Sequence, residues 1–259
     1  MISPRAVART TSILGLAGAL MAGCGDVKNG PGVRAATRTV VVFAAASLTE
    51  SFTSLGRAFE ASHPGVRVKF NFGGSSALAQ QIDQGAPADV FAAASPVTME
   101  QVTGAGRASA PRVFARNRLE IAVPKNSGGT VTSLKDLANP KVKVVICAPQ
   151  VPCGAAALKA LKAAGLAVKP VSQEQDVKAA LTKVRLGEAD AALVYRTDVK
   201  AAAGQVRGID FPEAAQAIND YPIAALDKAP QPGLAGEFVR SVLSQQGLAT
   251  LLQAGFERP

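Results

Sequence analysis

The sequence predicts an α/β protein built on open parallel sheets with helices on both faces. Three observations predict it. Short β-branched runs alternate with Ala-rich amphipathic stretches along the chain, the pattern of strand–helix–strand units. The first run, Val40 to Phe43, is apolar at every position, as a strand covered on both faces must be. With 259 residues, 48% of them hydrophobic, the chain has ample material for a core and lies between one and two domains. It needs two lobes. Only 5% is aromatic, so the core is expected to rest on Ala, Val, Leu and Ile.

The chain opens on an address. Arg5 and Arg9 precede an uncharged apolar stretch that ends in Leu20-Met21-Ala22-Gly23-Cys24. The apolar part is too short to span a bilayer and has the layout of a secretory signal. Small residues before a cysteine resemble the lipobox of bacterial lipoproteins, with Met21 where leucine is commoner. This implies a signal peptide over residues 1–23, acylation of Cys24, a polar tether over 24–38, and a protein lipid-anchored to the outer face of the cell membrane. Of three cysteines, Cys147 and Cys153 then remain. An even remainder in an oxidising compartment predicts a disulfide. No metal cation site is expected, because His63 is the lone histidine.

Residues 39–52, TVVVFAAASLTESF, read as a strand running into a helix. Ser47 and Glu50 have the spacing of a capping box. Phe52, Leu55 and Phe59 then fall on one helical face, and His63-Pro64-Gly65 ends that helix. Residues 66–72 alternate as a second strand, and Gly73-Gly74-Ser75-Ser76 leads into a helix through Leu78 and Ile82. Residues 88–93, 119–124, 142–147, 189–195 and 221–226 are further strands. Ser133 caps a short helix. Residues 155–165, AAALKALKAAG, form another. Ser172 and Gln175 suggest a second capping box before the helix through Val177 and Leu181. Residues 211–213 are loop, and helices close the chain over 235–252.

Ser47, Ser75, Cys153 and Val177 each lie at or near a predicted helix N-terminus. Open α/β sheets bind ligands where strand ends meet helix starts. Such termini offer free N–H donors and about half a positive charge. Tyr195, ending the strand ALVY, adds a hydroxyl. The formal charge of +9 is spread without basic runs, which argues against nucleic acid and leaves a mild field that draws in small anions.

FAAASLTESF from Phe43, FGGSSALAQQIDQGAPADVF from Phe72, APQVPCGAAAL from Ala148 and DAALVY from Asp190 resemble the periplasmic molybdate-binding proteins of ABC importers. The resemblance covers residues 39–256. It implies a type II two-lobed binding protein, with residues 39–118 and 222–259 in lobe 1 and 119–221 in lobe 2, closing on molybdate or tungstate. It implies hydroxyl and amide donors from Ser47 and Ser75, amides from Cys153 and Val177, and the Tyr195 phenol. Cys153 departs from the pattern, since many members have alanine there; a main-chain contact survives the change. The implied partners are the oxyanion and an importer permease, the chain being a monomer with no cofactor and no catalytic activity.

The chemistry of such a ligand agrees. A fully ionised tetrahedral oxyanion offers acceptors only, so its site needs donors, and none of the five residues is a carboxylate. Asp176 would spoil this if it pointed inward. Sulfate satisfies the same logic and is the alternative ligand. A serine hydrolase would need a base near Ser47 or Ser75, and the sequence offers only His63 and no Gly-x-Ser-x-Gly turn.

Overall fold

The computed structural model describes residues 37–259. The signal peptide and the acylated Cys24 lie outside the described residues, as does the tether up to residue 36. Among the described residues the strands form two five-stranded sheets. The first half of the molecule contains β1 (Arg38–Ala45), α1 (Thr49–Ser62), β2 (Val66–Gly73), α2 (Ser75–Asp83), β3 (Val90–Ala92), α3 (Pro96–Gly104) and β4 (Arg112–Asn117). The chain then crosses at Arg118 into β5 (Leu119–Pro124), β6 (Val144–Cys147), α4 (Pro152–Ala163), β7 (Ser172–Glu174), α5 (Val177–Arg185), β8 (Ala191–Tyr195), α6 (Arg196–Ala201) and β9 (Val206–Ile209). It returns at Ile218 through β10 (Asn219–Ala225), α7 (Pro232–Leu243) and α8 (Gln245–Ala254).

The sheets are mixed, not purely parallel. The first has the order β2-β1-β3-β10-β4 and the second β7-β6-β8-β5-β9. β10 runs antiparallel to β3 and β4, and β5 antiparallel to β8 and β9. A buried apolar strand reads the same in either direction, so the alternation of elements overstated the parallel character.

β1 shows why its run is apolar throughout. Val40, Val42 and Ala44 face one core cluster, with Phe52 and Phe238; Val41 and Phe43 face another, with Phe91 and Met99. This is the period-2 alternation of a strand covered on both sides. The few aromatics are not dispersed: Phe52 packs against Phe114 at 5.7 Å and Phe238 at 6.1 Å between ring centres. The second half has its own aliphatic core around Leu119, Ile121, Val144, Leu181 and Leu193. His63 stacks on Phe59 at 3.9 Å, with Nε2 3.2 Å from Glu237.

Candidate functional site

The five predicted residues meet on one cavity. Ser47 lies in a single 3-10 turn (Ala46–Leu48) between β1 and α1, Ser75 opens α2 after β2, and Cys153 is the second residue of α4. Val177 opens α5 and Tyr195 ends β8. All five are buried and all line the same small space between the two sheets. The centre of a water-sized sphere has about 20 Å³ in which to move, which suits a compact ion and not an extended organic ligand.

Most of its wall is apolar, and its polar groups come from helix entrances and hydroxyls. Helical bonding in α2, α4 and α5 starts with the N–H groups of Leu78, Ala155 and Ala180, apart from a side-chain cap on Ala179. The earlier amides, those of Ser75, Cys153 and Val177 among them, have no acceptor within their helices and face the helix entrance. Ser75 Oγ accepts the Ala94 N–H at 3.0 Å, so its own proton is free to be given. Tyr195 Oη accepts from Asn219 Nδ2 at 2.8 Å. Ser47 Oγ lies 2.9 Å from the Tyr221 hydroxyl. Burial, above all, raises the Tyr195 and Tyr221 pKa values well above the ordinary phenol value, so both keep their protons. Among the described residues no lysine or arginine lines the cavity. Asp176 does, but its Oδ1 accepts the Ala179 N–H at 2.9 Å and caps α5.

Two local expectations are corrected here. Ser47 forms no capping box with Glu50; its hydroxyl goes to Tyr221 and Glu50 goes to Lys178 at 2.8 Å. Ser172 caps nothing either. It sits in β7, and Asp176 caps α5. Ser133 does cap its short helix, paired with Asp136.

Cys147 and Cys153 are joined by a disulfide. The Cys153 sulfur is therefore bonded and offers no thiol to the cavity. The bridge pins the turn between β6 and α4. Opening it in a Cys147→Ser, Cys153→Ser protein should cost about 2 kcal/mol for so short a loop, read as a lower urea midpoint at unchanged slope.

The two halves touch around the cavity. Ser76 Oγ donates to the Gln150 carbonyl at 2.7 Å, and Lys178 Nζ reaches Glu50. Sequence reasoning missed Asn117, Asn219 and Tyr221. Asn117 and Asn219 sit opposite one another in the β4–β10 register, at the two crossings between sheets. Tyr221 was visible only as the start of a strand.

Two α/β sheets joined by two adjacent crossings, with a small cavity between them that helix entrances and hydroxyls adjoin, define a two-lobed ligand-binding protein. The chain belongs to the bacterial extracellular solute-binding proteins, matching that family over residues 40–257. It is 43% identical over 246 residues to the molybdate-binding protein ModA of Mycobacterium tuberculosis, covering 94% of each chain. Its fold resembles the periplasmic molybdate-binding protein of Azotobacter vinelandii, with a TM-score of 0.75 at 21% identity over 85% of this chain and 99% of that one. It also resembles the sulfate-binding protein SubI of M. tuberculosis, with a TM-score of 0.74 at 17% identity over 85% of this chain and 87% of that one.

Proposed function

We propose that this protein captures molybdate, or tungstate, between its two halves outside the cell membrane and hands it to an ABC importer. The observation that carries the reading is the convergence of Ser47, Ser75, Cys153, Val177 and Tyr195 on one small cavity that no cationic side chain lines among the described residues. Amides and hydroxyls serve an ion that only accepts. Charge-assisted bonds of this kind are about twice as strong as neutral ones, and exclusion of water by closure strengthens them further. Contacts from both halves give the ligand its preference for the closed arrangement. In this reading residues 39–118 with 219–259 form one lobe and 119–218 the other, because Asn219 to Tyr221, expected in the second lobe, pair with β4 in the first sheet; Cys24 carries the lipid, and the monomer works without catalysis. His63 lies beyond the far end of α1 from Ser47, about 20 Å away at 1.5 Å per residue, too far to serve as its base.

Sulfate is the second reading, supported by the SubI likeness and by the same donor logic. Competitive isothermal titration with molybdate, tungstate, sulfate and phosphate separates the two. Molybdate and tungstate are expected to bind most tightly, and a sulfate preference would overturn the first reading. Ser47→Ala and Ser75→Ala should each weaken molybdate binding by about 1–3 kcal/mol, the cost of leaving a buried charge short of a donor. Unchanged affinity in both would remove them from the site.

A further inference from the structure

A hydroxyl has one proton to give, and its other neighbour decides which way that proton points. A hydroxyl facing an acceptor-only ion must therefore be donated to from behind. Behind Tyr195 stands Asn219. Its Nδ2 is 2.8 Å from Tyr195 Oη and also 2.8 Å from the Ala94 carbonyl oxygen. A carbonyl has no proton, so the amide end shared by Ala94 and Tyr195 is the NH2 group. One of its protons goes to each.

We infer that Asn219 is a positioning residue and a determinant of ligand specificity: anchored on the Ala94 carbonyl, its amide donates to the Tyr195 phenol and so commits the phenolic proton to the cavity. Ala94 follows β3 in the first half of the molecule, whereas Tyr195 ends β8 in the second. A single amide at the crossing thus holds both sides of the site. Tyr221 stands beside both Tyr195 and Ser47, its hydroxyl 2.9 Å from Ser47 Oγ. Asn117 repeats the arrangement more loosely. Its Oδ1 accepts the Arg118 N–H at 3.1 Å, and its Nδ2 lies 2.9 Å from Thr197 Oγ1 and 3.5 Å from Tyr221 Oη.

The inference rests on the proposed oxyanion function. Its test is isothermal titration of sodium molybdate into the wild-type protein, Asn219→Leu, Tyr195→Phe, the double variant and Asn219→Asp. Asn219→Leu removes the donor at similar size and should weaken molybdate binding at least tenfold, as should Tyr195→Phe. With Tyr195→Phe already present, Asn219→Leu should cost less than twofold more, because its effect passes through the phenol. Asn219→Asp offers the phenol an acceptor and turns its proton away from the cavity. The phenolic oxygen can then accept a proton from hydrogen phosphate but cannot serve molybdate. The added charge repels both dianions alike, so the molybdate-to-phosphate affinity ratio should fall at least tenfold. Wild-type affinity in Asn219→Leu or Tyr195→Phe, an equal loss from Asn219→Leu with and without the Tyr195 hydroxyl, or an unchanged ratio in Asn219→Asp overturns the inference. A wild-type protein that binds no molybdate overturns the functional reading instead.

Discussion

An alanine at position 74 is expected to weaken molybdate binding at least a hundredfold while each half of the molecule stays folded. Gly74 lies between β2 and α2 with φ −61° and ψ 127°, a conformation open to any residue, so the change introduces no backbone strain. The obstacle lies across the cleft. A Cβ there would collide with the Gln175 carbonyl oxygen and touch Val151 Cγ1 at 3.6 Å, both on the second half. A main-chain carbonyl at the entrance to α5 cannot swing aside as a long side chain would. The cheapest relief is for the halves to part, which also breaks the Ser76–Gln150 bond and separates the donors around the cavity. A hundredfold loss corresponds to about 2.7 kcal/mol. Titration calorimetry with molybdate gives the affinity, and small-angle X-ray scattering in saturating molybdate reads the closure. Wild-type affinity, or a ligand-induced compaction equal to wild type, would show that the cleft tolerates the methyl group. A melting temperature well below wild type would mean that the clash is relieved by local unfolding instead.

The residues that could be found from sequence share a local signature. Ser47, Ser75 and Cys153 sit where an apolar run gives way to small residues and then to a helical pattern, and that signal occupies about ten neighbouring positions. What escaped depends on partners far along the chain. Glu50 has the spacing of a capping residue, yet it answers to Lys178, 128 positions later. Asn117 and Asn219 become partners only through strand register across the crossings. The missed strands tell the same story in the fold. β4, β7 and β9 are all sheet edges. Their sequences, RVFARN, SQE and VRGI, carry the polar residues that edges need to discourage further pairing. That composition removes the hydrophobic signal by which central strands such as β1 and β8 are recognised. The stretch taken as loop from Phe211 likewise holds a 3-10 helix, Pro212–Ala217, too short to have a period of its own.

Replacing Lys178 with methionine is expected to destabilise the fold by about 3–5 kcal/mol at pH 7.5, the usual cost of stranding one member of a buried ion pair. Lys178 Nζ lies 3.1 Å from Asp198, whose side chain is wholly buried. Among the described residues Asp198 Oδ1 has no well-aligned hydrogen bond, so that oxygen depends on the ammonium; Oδ2 accepts the Tyr195 N–H at 3.2 Å. Burial works against the Lys178 charge, but Asp198 and Glu50 outweigh it and hold its pKa above the ordinary lysine value. Burial also pushes Asp198 up to about 6, against the pull of Lys178. Its folded pKa thus exceeds its unfolded value of about 3.9. The stabilisation from protonating it is complete below about pH 4 and is lost as pH rises through about 6. Without the ammonium that folded pKa climbs further. The deficit of Lys178→Met relative to wild type should therefore shrink between pH 7.5 and pH 5 in urea denaturation, and Asp198→Asn added to Lys178→Met should recover most of it at pH 7.5. A loss below 1 kcal/mol, or a deficit that grows on acidification, would mean that Asp198 is not held ionised by this lysine. Glu50→Gln separates the buried charge from the contact across the cleft. The Glu50 side chain is 51% exposed, so its pairing with Lys178 is worth at most about 1 kcal/mol, and that variant should show neither the large loss nor its pH dependence.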